Sequence, residues 1–255
     1  MTKKSYAKVN VFLKIAGKRD NYHLLVSRFC RVKSLYDTIS FEAGKFEEFI
    51  LDGKFGCKTK SNTIYKAYIL LCEKSNSVKE YFKSHKVVVD KNIPEFAGLG
   101  GGSSNCATFI LMVNDICNLN LTIDDMVDIG VKIGADVPFF LYQYDSANVT
   151  GIGEIVEKFD EEILDIKTIT PKVQCNTGKI FGKFSQEFYR EISDSEAQKL
   201  LSMKSKEIFE TLSIEEANDL YLSASSVYKE LDINNMNFDR KYLFSGSGSS
   251  FFTIL

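Results

Sequence analysis

Residues 87–116 read V-V-V-D-K-N-I-P-E-F-A-G-L-G-G-G-S-S-N-C-A-T-F-I-L-M-V-N-D-I, and their order decides the fold class. Three valines predict a strand, Gly98 to Ser104 a glycine-rich loop, and the following segment a helix with Ala107, Ile110, Leu111, Asn114 and Cys117 along one stripe. Glycines lack Cβ, so their backbone N–H groups can approach phosphate oxygens closely. The helix that follows adds unpaired N–H groups and a positive dipole end. The loop therefore reads as an anion cradle; the plainer alternative is a turn between strand and helix. Its ending in Ser103-Ser104 and its entry into a patterned helix favour the cradle.

Other phosphate loops do not fit. A Walker A loop needs G-K-[ST], and the Gly-Lys pairs starting at 17, 44, 53, 178 and 182 are followed by Arg, Phe or Ile. A Rossmann fingerprint needs a third glycine where Ser103 stands, and the protein-kinase signatures H-R-D and D-F-G are absent.

Outward from the loop, residues 5–15 (S-Y-A-K-V-N-V-F-L-K-I) alternate as a strand. Val9, Val11, Leu13 and Ile15 share one face; Lys8, Asn10, Phe12 and Lys14 share the other. Strands are predicted at 27–32, 37–42 and 86–89, and a helix over 62–74 with Ser61 or Asn62 as cap. A second helix starts at Thr122, whose T-I-D-D resembles a capping box, and ends near Gly134, before the tight segment G-A-D-V-P-F-F-L. Strands follow near 147–156, 166–170 and 242–244, with several helices between Lys179 and Leu231. The charged run E-K-F-D-E-E from Glu157 marks a boundary between residues 1–157 and 158–255.

The 255 residues suffice for one large domain or two modest ones, and 44% hydrophobic with 26% charged residues describes an ordinary globular chain. A net charge of -2 excludes global attraction to nucleic acid or anionic lipid, so an anionic ligand must be held locally. The six cysteines form no C-x-x-C pair and the two histidines, His23 and His85, no H-E-x-x-H, which removes the common zinc spacings. Scattered thiols, no signal peptide and no apolar span imply a soluble cytoplasmic protein with no membrane or nucleic-acid partner.

P-x-x-x-G-L-G-G-G-S-S-N is similar to the ATP-binding motif of the GHMP kinases, which include galactokinase, homoserine kinase and mevalonate kinase. Four further segments match in order: residues 5–13 resemble A-K-x-N-x-x-L, Asn21-Tyr22-His23 resembles G-Y-H, residues 134–138 resemble G-A-D-V-P, and residues 245–248 resemble S-G-[ST]-G. The resemblance spans nearly the whole chain. It implies an α+β fold in two domains, a ribosomal-protein-S5-like N-terminal domain and a ferredoxin-like C-terminal domain, with the active site in the cleft between them. A-K-x-N-x-x-L, Y-H and G-A-D-V-P together resemble the branch that uses ATP, with Mg²⁺, to phosphorylate the 2-hydroxyl of the cytidine diphosphate conjugate of methylerythritol, in the non-mevalonate isoprenoid pathway.

The same resemblance assigns residues. Lys8 and Asp136 match the catalytic pair: Asp136 would take the hydroxyl proton, while Lys8 would keep that carboxylate charged and stabilise charge developing on the γ-phosphoryl group. Gly98, Leu99, Gly100, Gly101, Gly102, Ser103 and Ser104 would cradle the phosphates, with Asn62 and Lys91 at the adenine. Tyr22, His23 and Phe181 would enclose the cytosine, with Thr177 and Asn10 nearby. The loop serines are the expected protein contacts for Mg²⁺, since no carboxylate cage is visible. Plainer alternatives stand beside these: Lys8 on a solvated strand face, Asp136 as a helix cap, His23 as a turn residue, Phe181 as the inward residue of its helix. A homoserine or mevalonate-type kinase would share the loop without the cytosine clamp, and a non-catalytic ligand sensor would keep the fold without needing Lys8 and Asp136.

Three departures from the family pattern are visible. Phe96 stands where a glycine is usual, Asn21 replaces the glycine of G-Y-H, and the chain stops at residues 251–255, which implies a smaller second domain.

Overall fold

The computed structural model describes residues 1–255. The chain forms two compact units that interleave in sequence, one comprising Met1–Ala7, Leu35–Ile93 and Gly101–Gln143, the other Lys8–Ser34, Pro94–Gly100 and Tyr144–Leu255. Strands β1 (Thr2–Arg19) and β2 (Tyr22–Ala43) pair with each other and contribute to both units. A single 22-residue strand thus replaces the two predicted over 27–32 and 37–42. Between those stretches Lys33 and Ser34 are exposed, but no glycine or proline interrupts the backbone, so the polar gap marks solvent contact rather than a turn. At the hairpin joining β1 to β2 the left-handed residue is Asp20, at φ +55°, and not Asn21. Short Asx side chains tolerate that conformation.

In the first unit β2 pairs antiparallel with β4 (His85–Asp90), Thr38 opposite Asp90 through Ala43 opposite His85, and β3 (Leu51–Gly53) runs parallel to β4. Five helices complete it: α1 (Thr63–Lys74), α2 (Asn76–Tyr81), α3 (Gly101–Ile116), α4 (Ile123–Val131) and α5 (Val137–Tyr142). Asn62 caps α1 through its side-chain oxygen, and Thr122 with Asp125 forms the expected capping box on α4. On α3, Ala107 and Ile110 are buried as expected, but the buried face continues through Cys106, Phe109, Met112 and Val113, while Leu111, Asn114 and Cys117 are only half-buried. The rotation follows from Phe109, which sits edge-on to Phe41 and beside Phe82 in an aromatic cluster that also holds Phe49 and Tyr68.

In the second unit β2 pairs with β5 (Ser146–Gly151), Leu25 opposite Gly151 through Cys30 opposite Ser146, and β5 pairs with β6 (Ile155–Lys158). The strand predicted near 147–156 is therefore a hairpin, turned at Gly151 and Gly153, both with positive φ. A second antiparallel sheet has the order β7-β9-β8, formed by β7 (Ile166–Ile169), β8 (Leu243–Phe244) and β9 (Phe251–Ile254). Helices α6 (Thr177–Lys183), α7 (Asp194–Ser202), α8 (Ser205–Thr211), α9 (Ile214–Ala217) and α10 (Tyr221–Val227) fill the predicted helical region. The fully buried Arg28 donates to Asn148 Oδ1 (2.7 Å) and Leu201 O (2.9 Å) and lies 3.6 Å from Glu161, which gives a buried cation the partners it requires. All six cysteines are free, and no helix is long and apolar enough to cross a membrane.

Candidate active site

The N-terminal part of the glycine loop belongs to the second unit and is held there by backbone contacts that admit no side chain. Gly98 has φ +74°, and a Cβ on it would stand 2.1 Å from Ser245 O. Ser245 Oγ donates to Gly98 O (3.0 Å) and accepts the N–H of Asn10 (3.2 Å). Leu99 O accepts the N–H of Lys8 (3.0 Å), and Ala97 O that of Ser250 (3.1 Å). One short segment therefore ties β1 to the S-G-S-G turn. Just before it Phe96, 53% exposed, adopts φ +54°, a backbone conformation that favours glycine. Such a conformation costs a non-glycine residue about 1 kcal/mol. Phe96→Gly is accordingly expected to leave stability unchanged or raise it by up to about 1 kcal/mol in urea unfolding, the entropy of the unfolded glycine offsetting part of the gain. A loss of stability instead would show that the ring anchors the loop.

Lys8 is 3% exposed, so the solvated-face alternative is wrong: both faces of β1 are covered. Its ammonium donates to Asn10 Oδ1 (2.5 Å) and lies 4.3 Å from the centroid of the Phe29 ring. Asn10 Nδ2 donates to Ser27 Oγ (3.0 Å), which in turn donates to Phe12 O. The amide oxygen of Asn10 is thereby turned toward the lysine, fixing where that charge sits.

At the other end of β1 and β2, His23 stacks on Phe181 with ring centroids 5.1 Å apart and lies edge-on to the buried Phe184 at 5.8 Å. His23 Nε2 pairs with Ser185 Oγ at 2.9 Å. Burial, assisted by the nearby Lys18, lowers the imidazole pKa below its ordinary 6.5, so the ring is neutral at neutral pH and above. Phe181 is half-exposed, and Ile180 and Phe184 are the inward residues of its helical segment. Tyr22 is 62% exposed. Thr177 opens α6, and its Oγ1 is 2.9 Å from Ser247 Oγ.

In the first unit, Gly101 is the first residue of α3, and Ser103 and Ser104 follow in its first turn. Lys91 Nζ donates to Asp37 Oδ2 (2.5 Å) and Asn105 Oδ1 (3.0 Å), and would lie 3.5 Å from a Cβ on Gly101. Asn62 spends its side-chain oxygen on the N–H of Ile64 (2.9 Å), while Thr63 Oγ1 donates to Gly102 O (2.7 Å). Asp136 occupies the N-cap position of α5 but makes no side-chain cap hydrogen bond, so the capping alternative fails. The segment carrying it lies against the first turn of α3: a Cβ on Gly134 would stand 3.7 Å from Ser103 Oγ.

Two features escaped the sequence reading of the site. Ser245 was legible only as part of a terminal motif, without a partner, and Asp37 only as a strand residue; each acts across a large sequence separation. No three His, Cys, Asp or Glu side chains converge on one point, and the hydroxyls of Ser103 and Ser104 stand in the first turn of α3.

Residues 62–144, which hold the glycine loop and the helix it enters, match the family of the GHMP kinases N terminal domain. The chain is 48% identical to the 4-diphosphocytidyl-2-C-methyl-D-erythritol kinase of Sulfurimonas denitrificans, covering 98% of this chain and 96% of that one. The enzyme of the same name from a Sulfurovum species is 44% identical, over 98% and 97%. This chain belongs to that kinase family. Among solved structures, one of 4-(cytidine 5'-diphospho)-2C-methyl-D-erythritol kinase superposes with a TM-score of 0.76 at 26% identity, covering 100% of this chain and 90% of that one. A mevalonate kinase superposes at 0.59 with 16% identity, covering 100% and 91%, a likeness of fold alone.

Proposed function

We propose that this small-molecule kinase transfers the γ-phosphoryl group of ATP to the 2-hydroxyl of 4-diphosphocytidyl-2-C-methyl-D-erythritol, a step of non-mevalonate isoprenoid synthesis. The observation that carries phosphoryl transfer is Asp136, a carboxylate spared from capping its own helix, on a segment in contact with loop residue Ser103. The relatives' names carry the choice of acceptor.

In this reading Asp136 accepts the proton of the 2-hydroxyl as its oxygen attacks the γ-phosphorus, and ADP leaves. Lys8, oriented by Asn10, supplies positive charge to the transferring group. Gly98 to Ser104 offer N–H groups to the phosphates, with Asn62 and Lys91 at the adenine. Mg²⁺, when bound, neutralises charge shared between phosphate oxygens, and Ser103 is the residue suited to touch it. The cytosine lies against Tyr22 and Phe181, and the neutral His23 offers its polar edge, with Thr177 and Asn10 nearby. We assign residues 1–157 to an S5-like domain and 158–255 to a ferredoxin-like domain, a division by family architecture that differs from the interleaved compact units, in a protein working in the cytoplasm without membrane or nucleic-acid partners.

Phe181→Ala tests the cytosine site. Loss of a stacked aromatic face is expected to raise the acceptor KM by about tenfold, from a stacking energy of ~1 to 3 kcal/mol, while the ATP KM stays unchanged. Because burial keeps His23 neutral, the parent acceptor KM is expected to be flat from neutral pH upward and to climb only below 6.5, where the imidazole gains its proton. An unchanged acceptor KM in Phe181→Ala would move the base elsewhere.

A further inference from the structure

We propose that Asp37 is a positioning residue for phosphoryl transfer, setting the place of Lys91 and of the first turn of α3; the proposal rests on the reading that both meet the nucleotide. Asp37 lies on β2 and is fully buried. Its Oδ1 accepts the N–H groups of Asn92 (2.7 Å) and Ile93 (2.8 Å), which fixes the chain just ahead of the glycine loop. Its Oδ2 accepts from Lys91 Nζ (2.5 Å) and Asn105 Nδ2 (2.8 Å). Four donors thus saturate one carboxylate.

From Asn105 the order continues. Its amide oxygen accepts a second bond from Lys91 (3.0 Å), and its amide nitrogen also donates to Ser5 Oγ (2.9 Å). Ser5 then donates to Ser104 Oγ (2.8 Å). Since the Ser5 hydroxyl supplies that proton, the Ser104 hydroxyl keeps its own to donate. The direction of every bond in the relay is therefore set by a group that can only accept, the Asp37 carboxylate.

Electrostatics gives the carboxylate a second task. Lys91 Nζ sits beside Gly101, at the positive end of α3, where a cation is repelled. Asp37, with its side chain wholly inaccessible, is the carboxylate that holds it there, at 2.5 Å. With two of its three N–H groups spent on Asp37 and Asn105, the lysine retains one for a ligand at the loop. Charge-assisted bonds of this kind hold geometry more firmly than neutral ones.

The test is a mutant cycle read by calorimetric titration with ATP and Mg²⁺ and by the acceptor KM. Asp37→Asn keeps the shape but sets an amide against Lys91, and is expected to raise the ATP Kd by about tenfold or more, the cost of a lost hydrogen bond to a charged group. The acceptor KM is expected to stay within about twofold, because the carboxylate acts on the nucleotide side alone. Lys91→Met should weaken ATP comparably, and the double variant no more than the worse single one, since the two act as one unit. Losses that multiply, or an acceptor KM rising in step with the ATP Kd, would mean general loosening and overturn the proposal. Parental ATP affinity in Asp37→Asn would overturn it while leaving Lys91 at the nucleotide. Parental affinity in Lys91→Met would reject the nucleotide reading of Lys91, and the proposal with it. If Asp37→Asn does not fold, Ser5→Ala decides by removing only the relay hydroxyl: an ATP Kd raised about threefold supports the relay, and an unchanged one overturns it.

Discussion

Asp136→Asn is expected to lower kcat by about 10² to 10⁴ while leaving ATP affinity near the parental value, the effect of removing a general base. The substitution is isosteric and deletes the proposed proton acceptor without deleting volume. Asp136 makes no side-chain cap hydrogen bond to α5, so no cap is lost when the carboxylate becomes an amide. Steady-state kinetics with saturating ATP and acceptor measures the effect, and turnover within about threefold of the parent would remove Asp136 from the proton-transfer step.

Gly98→Ala is expected to be the most damaging single-methyl change in the loop. The added Cβ would stand 2.1 Å from Ser245 O and 3.2 Å from Gly248 N, both backbone atoms, at a backbone φ of +74°. Overpacking and left-handed strain together amount to about 2 to 5 kcal/mol. The loop can relieve this only by leaving Ser245, which breaks the Ser245 Oγ bond to Gly98 O and moves the N–H groups proposed to meet phosphate. Urea unfolding should show a large loss of stability, and ATP titration of the surviving folded protein a weakened Kd. Gly102→Ala is the internal comparison for stability: a Cβ there meets nothing closer than Thr63 Oγ1 at 3.8 Å, so its unfolding midpoint should stay near the parent's. Equal stability of the two variants would contradict the stitched loop.

The contrast between these two glycines shows where the sequence stops being legible. Consecutive glycines and two serines announce a loop entering a helix because the signal is local, and the cap at Asn62 and the box at Thr122 are local too. Which glycine bears the contact is decided by Ser245, almost 150 residues away, and no spacing rule reports that. Lys8 illustrates the same limit: alternation correctly grouped it with Asn10, Phe12 and Lys14, but alternation cannot say whether a polar face is wet, and this one is covered. The Asp37 relay joins residues 5, 37, 91 and 105, each an ordinary polar residue in its own neighbourhood. The errors in strand limits have one cause. The exposed Lys33 and Ser34 lower local hydrophobicity without breaking β2, whereas Gly151 and Gly153 break a hydrophobic run and fold it into a hairpin. Chain geometry and hydrophobic pattern disagree at both places, and geometry prevails.

The central claim, a kinase whose acceptor is the cytidine diphosphate conjugate of methylerythritol, is tested most directly by a single acceptor panel. The purified protein is given ATP and Mg²⁺ with the cytidine conjugate, homoserine or mevalonate in separate reactions, and ADP release is measured in each. Release with the cytidine conjugate and background release with the other two is the expected result. Release with homoserine or mevalonate and none with the cytidine conjugate would contradict the account.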